Sequence, residues 1–162
     1  LQPIGYTQIA SLTEKRVDAA VSYAMNEPVQ LAQAGYDINV FYLDEYTGLI
    51  SNGLISSEAM IDSDPDLVRR VVAAFVKGIE TTLEKPDEAF AITRKHIPEM
   101  DDTTAELQRA VLDACLLFWE STEVGYNDPE TWQESAQLLQ DLGLISGDVA
   151  VTEMYTNEFL QQ

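Results

Sequence analysis

Apolar and polar residues along the chain change their rhythm near residue 50. Before it, short helix-like and strand-like runs alternate; after it, helical periodicity takes over. Residues 7–15 place Ile9 and Leu12 on one side of a short helix closed by Glu14, Lys15 and Arg16. The run 17–22 (VDAAVS) has the small and β-branched residues of an interior parallel strand. Asn26 is an N-cap candidate for a helix with Pro28 in its first turn that runs to Ala34 and stops at Gly35. The run 37–43 (DINVFYL) reads as a second strand, completing a helix, strand, helix, strand order of α/β type. Polar residues and Gly48 then break the pattern over 44–48, ahead of an extended run over 49–56.

Beyond that break the periodicity predicts four helices. The first begins at Ser63-Asp64-Pro65-Asp66, which supplies cap oxygens, a first-turn proline and carboxylates at the positive end of the dipole. Its apolar face combines Leu67, Val68, Val71, Val72, Phe75, Val76, Ile79 and Leu83 and is expected to lie in a core. A second helix starts at Pro86 with Ala89, Phe90 and Ile92 inward and ends at Ile97-Pro98. A third covers about 103–121, with Leu107, Val111, Ala114, Cys115 and Phe118 on its packed side and Asp101 and Asp102 at its start. A fourth runs over 130–142 and ends at Gly143, and the segment 155–160 is expected to fold Tyr155 and Phe159 back onto the body. There is no internal repeat.

Composition narrows the function class. With 162 residues, 46% of them hydrophobic and 23% charged, the chain has the make-up of a folded soluble protein. Nine Lys and Arg against 28 Asp and Glu leave a net charge of −19, which repels phosphate backbones and anionic lipid surfaces. No nucleic-acid partner and no direct membrane insertion are expected. No apolar run is long enough to span a bilayer, and no charged-then-apolar leader opens the chain. A start at Leu1 followed by Gln2-Pro3-Ile4 suggests a processed or excised piece.

Catalytic chemistry is scarce. One Cys (Cys115) and one His (His96) provide neither a disulfide nor metal-ligand spacing, and there is no GxSxG, HExxH, GxxxxGK[ST] or CxxC. Cys115 reads as a small core residue and His96 as a solvated or capping group at a helix end. No enzyme activity, cofactor or metal is expected. One segment does resemble a site: 22–28 (SYAMNEP) follows a strand and leads a helix, where open α/β sheets hold ligands. Ser22 and Tyr23 offer hydroxyls and Tyr23 a stacking ring, Asn26 a donor and an acceptor, and Glu27 a charged acceptor. The competing reading is structural, with Asn26 capping, Glu27 favouring the dipole and Tyr23 packing.

The order EKRVDAAVS (14–22), NEP (26–28) and a helix ending at Gly35 resembles NMT1/THI5-like solute-binding proteins. SSEAMIDSDPDLVRRVVAAFVKG (56–78), KPDEA (85–89), Gly125 with Trp132, and YTNEFL (155–160) are similar to the carboxyl-terminal half of that family. The resemblance implies an α/β, type II periplasmic-binding-protein clamshell, here as an incomplete, helix-rich carboxyl-terminal part. Residues 1–43 would be the end of the second lobe, 44–48 the inter-lobe crossing, and 49–162 the carboxyl-terminal part of the first lobe. It further implies a solute-binding component of an ABC transporter, extracytoplasmic, that captures a planar nitrogen heterocycle between lobes and delivers it to a permease. A carboxylate at Glu27 suits an amino-pyrimidine, such as a thiamin precursor, or riboflavin, and disfavours the sulfonates and nitrate that other relatives take. Tyr46 in the crossing is a second aromatic candidate, with Asp44 and Asn52 as weaker ones. The fungal thiamin-pyrimidine enzymes of the same broad family carry a cysteine-rich motif that this sequence lacks. A reading from another class is a helix-rich protein-interaction module with a groove between the carboxyl-terminal helices.

Overall fold

A computed structural model describes residues 2–147 and 150–160. Its described residues form two compact units, the residues to Phe41 together with Lys85–Glu120, and Tyr42–Glu84 together with the residues from Ser121 onward.

In the first unit, α1 (Gln8–Thr13) and α6 (Asp102–Trp119) both pack on α2 (Glu27–Gln33), and α5 (Pro86–His96) precedes α6 in the chain. Leu31 of α2 is the centre of this packing at 2% exposure, with Ser11 of α1 and Ala105 of α6 buried as well. Small side chains at those two positions suit close helix approach. The expected stop of α2 is realised in hydrogen bonds: Gly35 adopts φ +81°, its N–H reaches Ala32 O at 3.0 Å and the Tyr36 N–H reaches Leu31 O at 3.0 Å. This pairing satisfies carbonyls that the last helical turn would otherwise leave open, and it requires a left-handed residue that glycine adopts without strain. The start of α6 is fixed by Asp101, whose Oδ1 accepts the Thr104 N–H at 2.7 Å. Arg109 joins α5 to α6: it pairs with Asp87 and, at 2.9 Å, with Asp113, and its guanidinium lies 5.9 Å from the centre of the Phe90 ring.

In the second unit, α3 (Glu58–Ser63) packs on α4 (Pro65–Glu84), and a 3₁₀ turn at Val151–Glu153 packs on α7 (Pro129–Asp141). Asp64 and Asp128 cap α4 and α7, accepting the Leu67 and Thr131 N–H groups at 3.0 and 2.8 Å. The closing segment folds back as expected. Tyr155 stacks on Trp132 with ring centres 5.1 Å apart, and Phe159 is buried with Arg69 over its face. Two asparagines fasten this segment to the turn before α7. Asn157 Oδ1 accepts from the Asn127 backbone N–H (2.9 Å) and Nδ2 (3.0 Å), and Asn157 Nδ2 donates to Asn127 O (3.0 Å). Asn127 Oδ1 in turn accepts from the Trp132 indole at 3.1 Å.

The structure corrects three expectations. No strand forms among the described residues: 17–22 and 37–42 are irregular, and Leu43–Glu45 is a 3₁₀ turn. A strand is defined by its ladder partner, and among the described residues these segments have none. Val21 and Phe41 accordingly stand 76% and 80% exposed, although their composition suits burial on both faces. The α4 stripe is divided: Val68, Val72, Val76, Ile79 and Leu83 are half-buried, whereas Leu67, Val71 and Phe75 are exposed. The six-residue α3 is too short to cover so broad a face. Finally, α3 is a helix beyond the four expected after the break, and it takes in Ser63, which was expected to open α4; it is started by Ser57 Oγ accepting the Met60 N–H at 3.2 Å.

Candidate functional site

The loop expected to carry the site is a closed, hydrogen-bonded turn in the first unit. The Asn26 N–H returns to Tyr23 O at 3.0 Å, and Glu27 Oε2 accepts the Tyr23 N–H at 3.2 Å. Glu27 is therefore the first residue of α2, favoured there by the helix dipole, and the tether that holds the preceding turn. A carboxylate has about four acceptor positions, so one backbone donor leaves capacity for another partner.

Asn26 occupies the N-cap position without acting as a cap through its side chain. Its backbone lies at φ −115°, ψ −82°, away from extended cap geometry, and Pro28 in the first turn has no N–H to donate. Its Oδ1 instead accepts from Gln30 Nε2 at 2.8 Å, which fixes the amide and leaves the Asn26 nitrogen as its donor end. Ser22 and Tyr23 are exposed, Tyr23 at 51%, while Asn26 and Glu27 are half-buried. The turn thus carries one aromatic ring, two hydroxyls and one partly used carboxylate within six residues of chain. That set can stack on a planar group and accept hydrogen bonds from it.

Tyr46 belongs to the second unit, where it closes the 3₁₀ turn Leu43–Glu45 and is 74% exposed. Asp44 and Asn52 are exposed there too. Two open hollows lie in this unit. One is lined by Asp64, Asp66, Arg69, Arg70 and Ala73, the other by Thr47, Gln133, Glu134, Gln137, Leu138 and Asp141. Neither is lined by Ser22, Tyr23, Asn26, Glu27 or Tyr46.

Sequence reasoning missed how the chain leaves the 44–48 segment. Glu134 Oε2 accepts the Gly48 N–H at 2.9 Å, and Ser135 Oγ accepts the Ile50 N–H at 2.7 Å while lying 3.3 Å from Gly48 O. Gly48 and α7 are more than eighty positions apart, and the only local sign was a glycine in a polar break. Among the described residues no cluster of His, Cys, Asp and Glu is arranged to hold a metal ion. Burial pushes the Cys115 thiol above its ordinary pKa, the opposite of what a reactive thiolate needs. His96 ends α5 beside Arg94 and Lys95, where cations suit the dipole. No helix among the described residues is long and apolar enough to cross a membrane.

A family model described as NMT1/THI5 like matches residues 1–89. The chain is 40% identical to the riboflavin-binding protein RibY of Chloroflexus aurantiacus, over 99% of this chain and 47% of that protein. It is 29% identical to the formylaminopyrimidine-binding protein of Halalkalibacterium halodurans, over 83% of this chain and 42% of that one. Identity to the 4-amino-5-hydroxymethyl-2-methylpyrimidine phosphate synthase of Legionella pneumophila subsp. pneumophila is 21%, over 97% of this chain and 49% of the synthase. The chain spans about half the length of the curated relatives it matches.

Proposed function

The chain belongs to the NMT1/THI5-like family, which has a periplasmic-binding-protein-like fold, and on that premise we propose that it is part of the solute-binding component of an ABC importer. The ligand is a planar nitrogen heterocycle of the riboflavin or pyrimidine kind, held by a type II two-lobed protein outside the cytoplasm and passed to a permease. The observation that carries the reading is 40% identity, along 99% of the chain, to a protein named for binding riboflavin. The two relatives of higher identity are both named as binding proteins, whereas the synthase is only 21% identical. Binding without turnover is therefore the preferred chemistry. The site chemistry is consistent with it, because the 22–27 turn offers acceptors and an aromatic face and no nucleophile with a base.

In this reading the Tyr23 ring stacks on the heterocycle, Glu27 accepts a hydrogen bond from a ring N–H or amino group, and Asn26 and Ser22 add polar contacts at the edge. A calorimetric titration of the protein with riboflavin and, separately, with formylaminopyrimidine tests the proposal. Saturable heat with either compound, and no consumption of it, is the expected result; no heat with both removes the proposal.

A further inference from the structure

Five asparagines occur in the chain, and Asn52 alone is followed by glycine. The others precede Glu27, Val40, Asp128 and Glu158. Asn52-Gly53 lies in the second unit, in the irregular stretch between Gly48 and the start of α3. Both ends of that stretch are held: the Ile50 N–H donates to Ser135 Oγ at 2.7 Å, and Ser57 Oγ accepts the Met60 N–H at 3.2 Å. Between these anchors residues 51–56 are exposed and belong to no helix, and among the described residues no hairpin ladder closes around the Asn-Gly pair. Within the same described residues the Gly53 N–H makes no backbone hydrogen bond. A Cβ placed on Gly53 would meet nothing within 4 Å beyond its chain neighbours.

This setting favours a reaction of the chain with itself. The Gly53 nitrogen and the Asn52 side-chain carbonyl stand on adjacent residues, so attack of one on the other is unimolecular. Glycine adds no side chain to crowd the approach and takes up unusual backbone angles more readily than any other residue. We propose that Asn52-Gly53 is a modification site at which the chain deamidates through a cyclic imide. The Gly53 nitrogen gives its proton to solvent and bonds to Asn52 Cγ; the Cγ–Nδ2 bond breaks, and the amide nitrogen takes a proton from solvent and leaves as ammonia. Water then opens the imide. Cleavage between Cγ and the Gly53 nitrogen gives aspartate, and cleavage between the main-chain carbonyl carbon and that nitrogen gives isoaspartate. In sum, water is consumed and ammonia released, with no change of oxidation state. The product adds one negative charge to a chain that already carries −19, and as isoaspartate it lengthens the main chain by a methylene between the Ile50 anchor and α3. Asn127 and Asn157 are followed by acidic residues and are clasped to each other, which holds both in place.

Incubation of the intact protein in warm, mildly alkaline buffer tests the proposal, with peptide mapping by mass spectrometry at intervals and isoaspartyl methyltransferase labelling to separate the two products. A synthetic peptide of residues 49–56 gives the rate without the fold. Asn52 in the folded protein should convert within about threefold of the peptide rate, mainly to isoaspartate, and about tenfold or more faster than any other asparagine. Gly53→Ala, whose new methyl enters open space, should keep the circular dichroism of the parent and slow the conversion about tenfold. An Asn52 that stays intact while the peptide converts overturns the proposal. So does conversion at a like rate at Asn26, Asn39, Asn127 and Asn157, or an undiminished rate in Gly53→Ala. None of these readouts uses riboflavin, so the outcome is independent of the binding reading.

Discussion

Replacing Asn157 by Ala should detach the closing segment from the second unit. The side chain makes three hydrogen bonds of 2.9 to 3.0 Å, two to the backbone of Asn127 and one to its side-chain amide. A typical internal hydrogen bond contributes about 1 kcal/mol net, and a partner left half-buried and unsatisfied adds to the loss, so the substitution should cost about 2 to 4 kcal/mol. Urea denaturation followed by far-ultraviolet circular dichroism measures this loss, and fluorescence adds a local signal because Trp132 is bonded to Asn127 and stacked on Tyr155. The backbone bonds permit a sharper test. Asn127→Ala removes only one of these three bonds, along with the Asn127 side-chain bonds to Trp132 and Thr156, so Asn157→Ala should still cost about 1 to 3 kcal/mol in that background. A loss below about 0.5 kcal/mol in the parent, or none in the Asn127→Ala background, would refute the account of this clasp.

Leu31→Ala should lower the stability of the first unit by about 2 to 5 kcal/mol in the same denaturation, since Leu31 is 2% exposed where α1 and α6 meet α2; a loss near zero would mean that this packing is not formed. Asp101 and Asp128 are held below the ordinary carboxylate pKa chiefly by the backbone N–H groups of Thr104 and Thr131. A depressed folded-state pKa gives stability that is present above the unfolded value, about 3.9, and lost as the pH falls through the lower folded value. Helicity should therefore drop on acidification from about pH 4 downward, and the Asp101→Asn, Asp128→Asn double variant should show a smaller drop; identical acid titrations would contradict the two caps. Glu27→Gln keeps an acceptor for the Tyr23 N–H but removes the charge, and should weaken riboflavin binding about 10- to 150-fold, the equivalent of a charged hydrogen bond of about 1.5 to 3 kcal/mol. Unchanged affinity by calorimetry would take Glu27 out of the site.

The local parts of this architecture were legible because their causes are local. Gly35 after an apolar run, Pro28 and Pro65 in first turns, Asp64 before α4 and Asp101 at the start of α6 place helix ends within a residue or two of where they form. The strands at 17–22 and 37–43 were not reliable, because composition reports a preference for burial and says nothing of which chain supplies the ladder. The same limit explains α4, whose periodicity marks an apolar face but not how much of it a neighbour covers. In the candidate site, Glu27 was identifiable as a charged acceptor at a helix start, yet its bond to the Tyr23 N–H depends on the turn between them. Ser135 had no sequence signal at all: an isolated serine in a helix becomes informative only when a backbone 85 positions away is laid against it.

The most direct test of the central claim is a crystal structure of the protein grown with riboflavin. The account predicts the flavin ring against Tyr23, with a ring N–H at hydrogen-bond distance from a Glu27 oxygen. A flavin bound elsewhere, with Tyr23 and Glu27 both left to solvent, would contradict it.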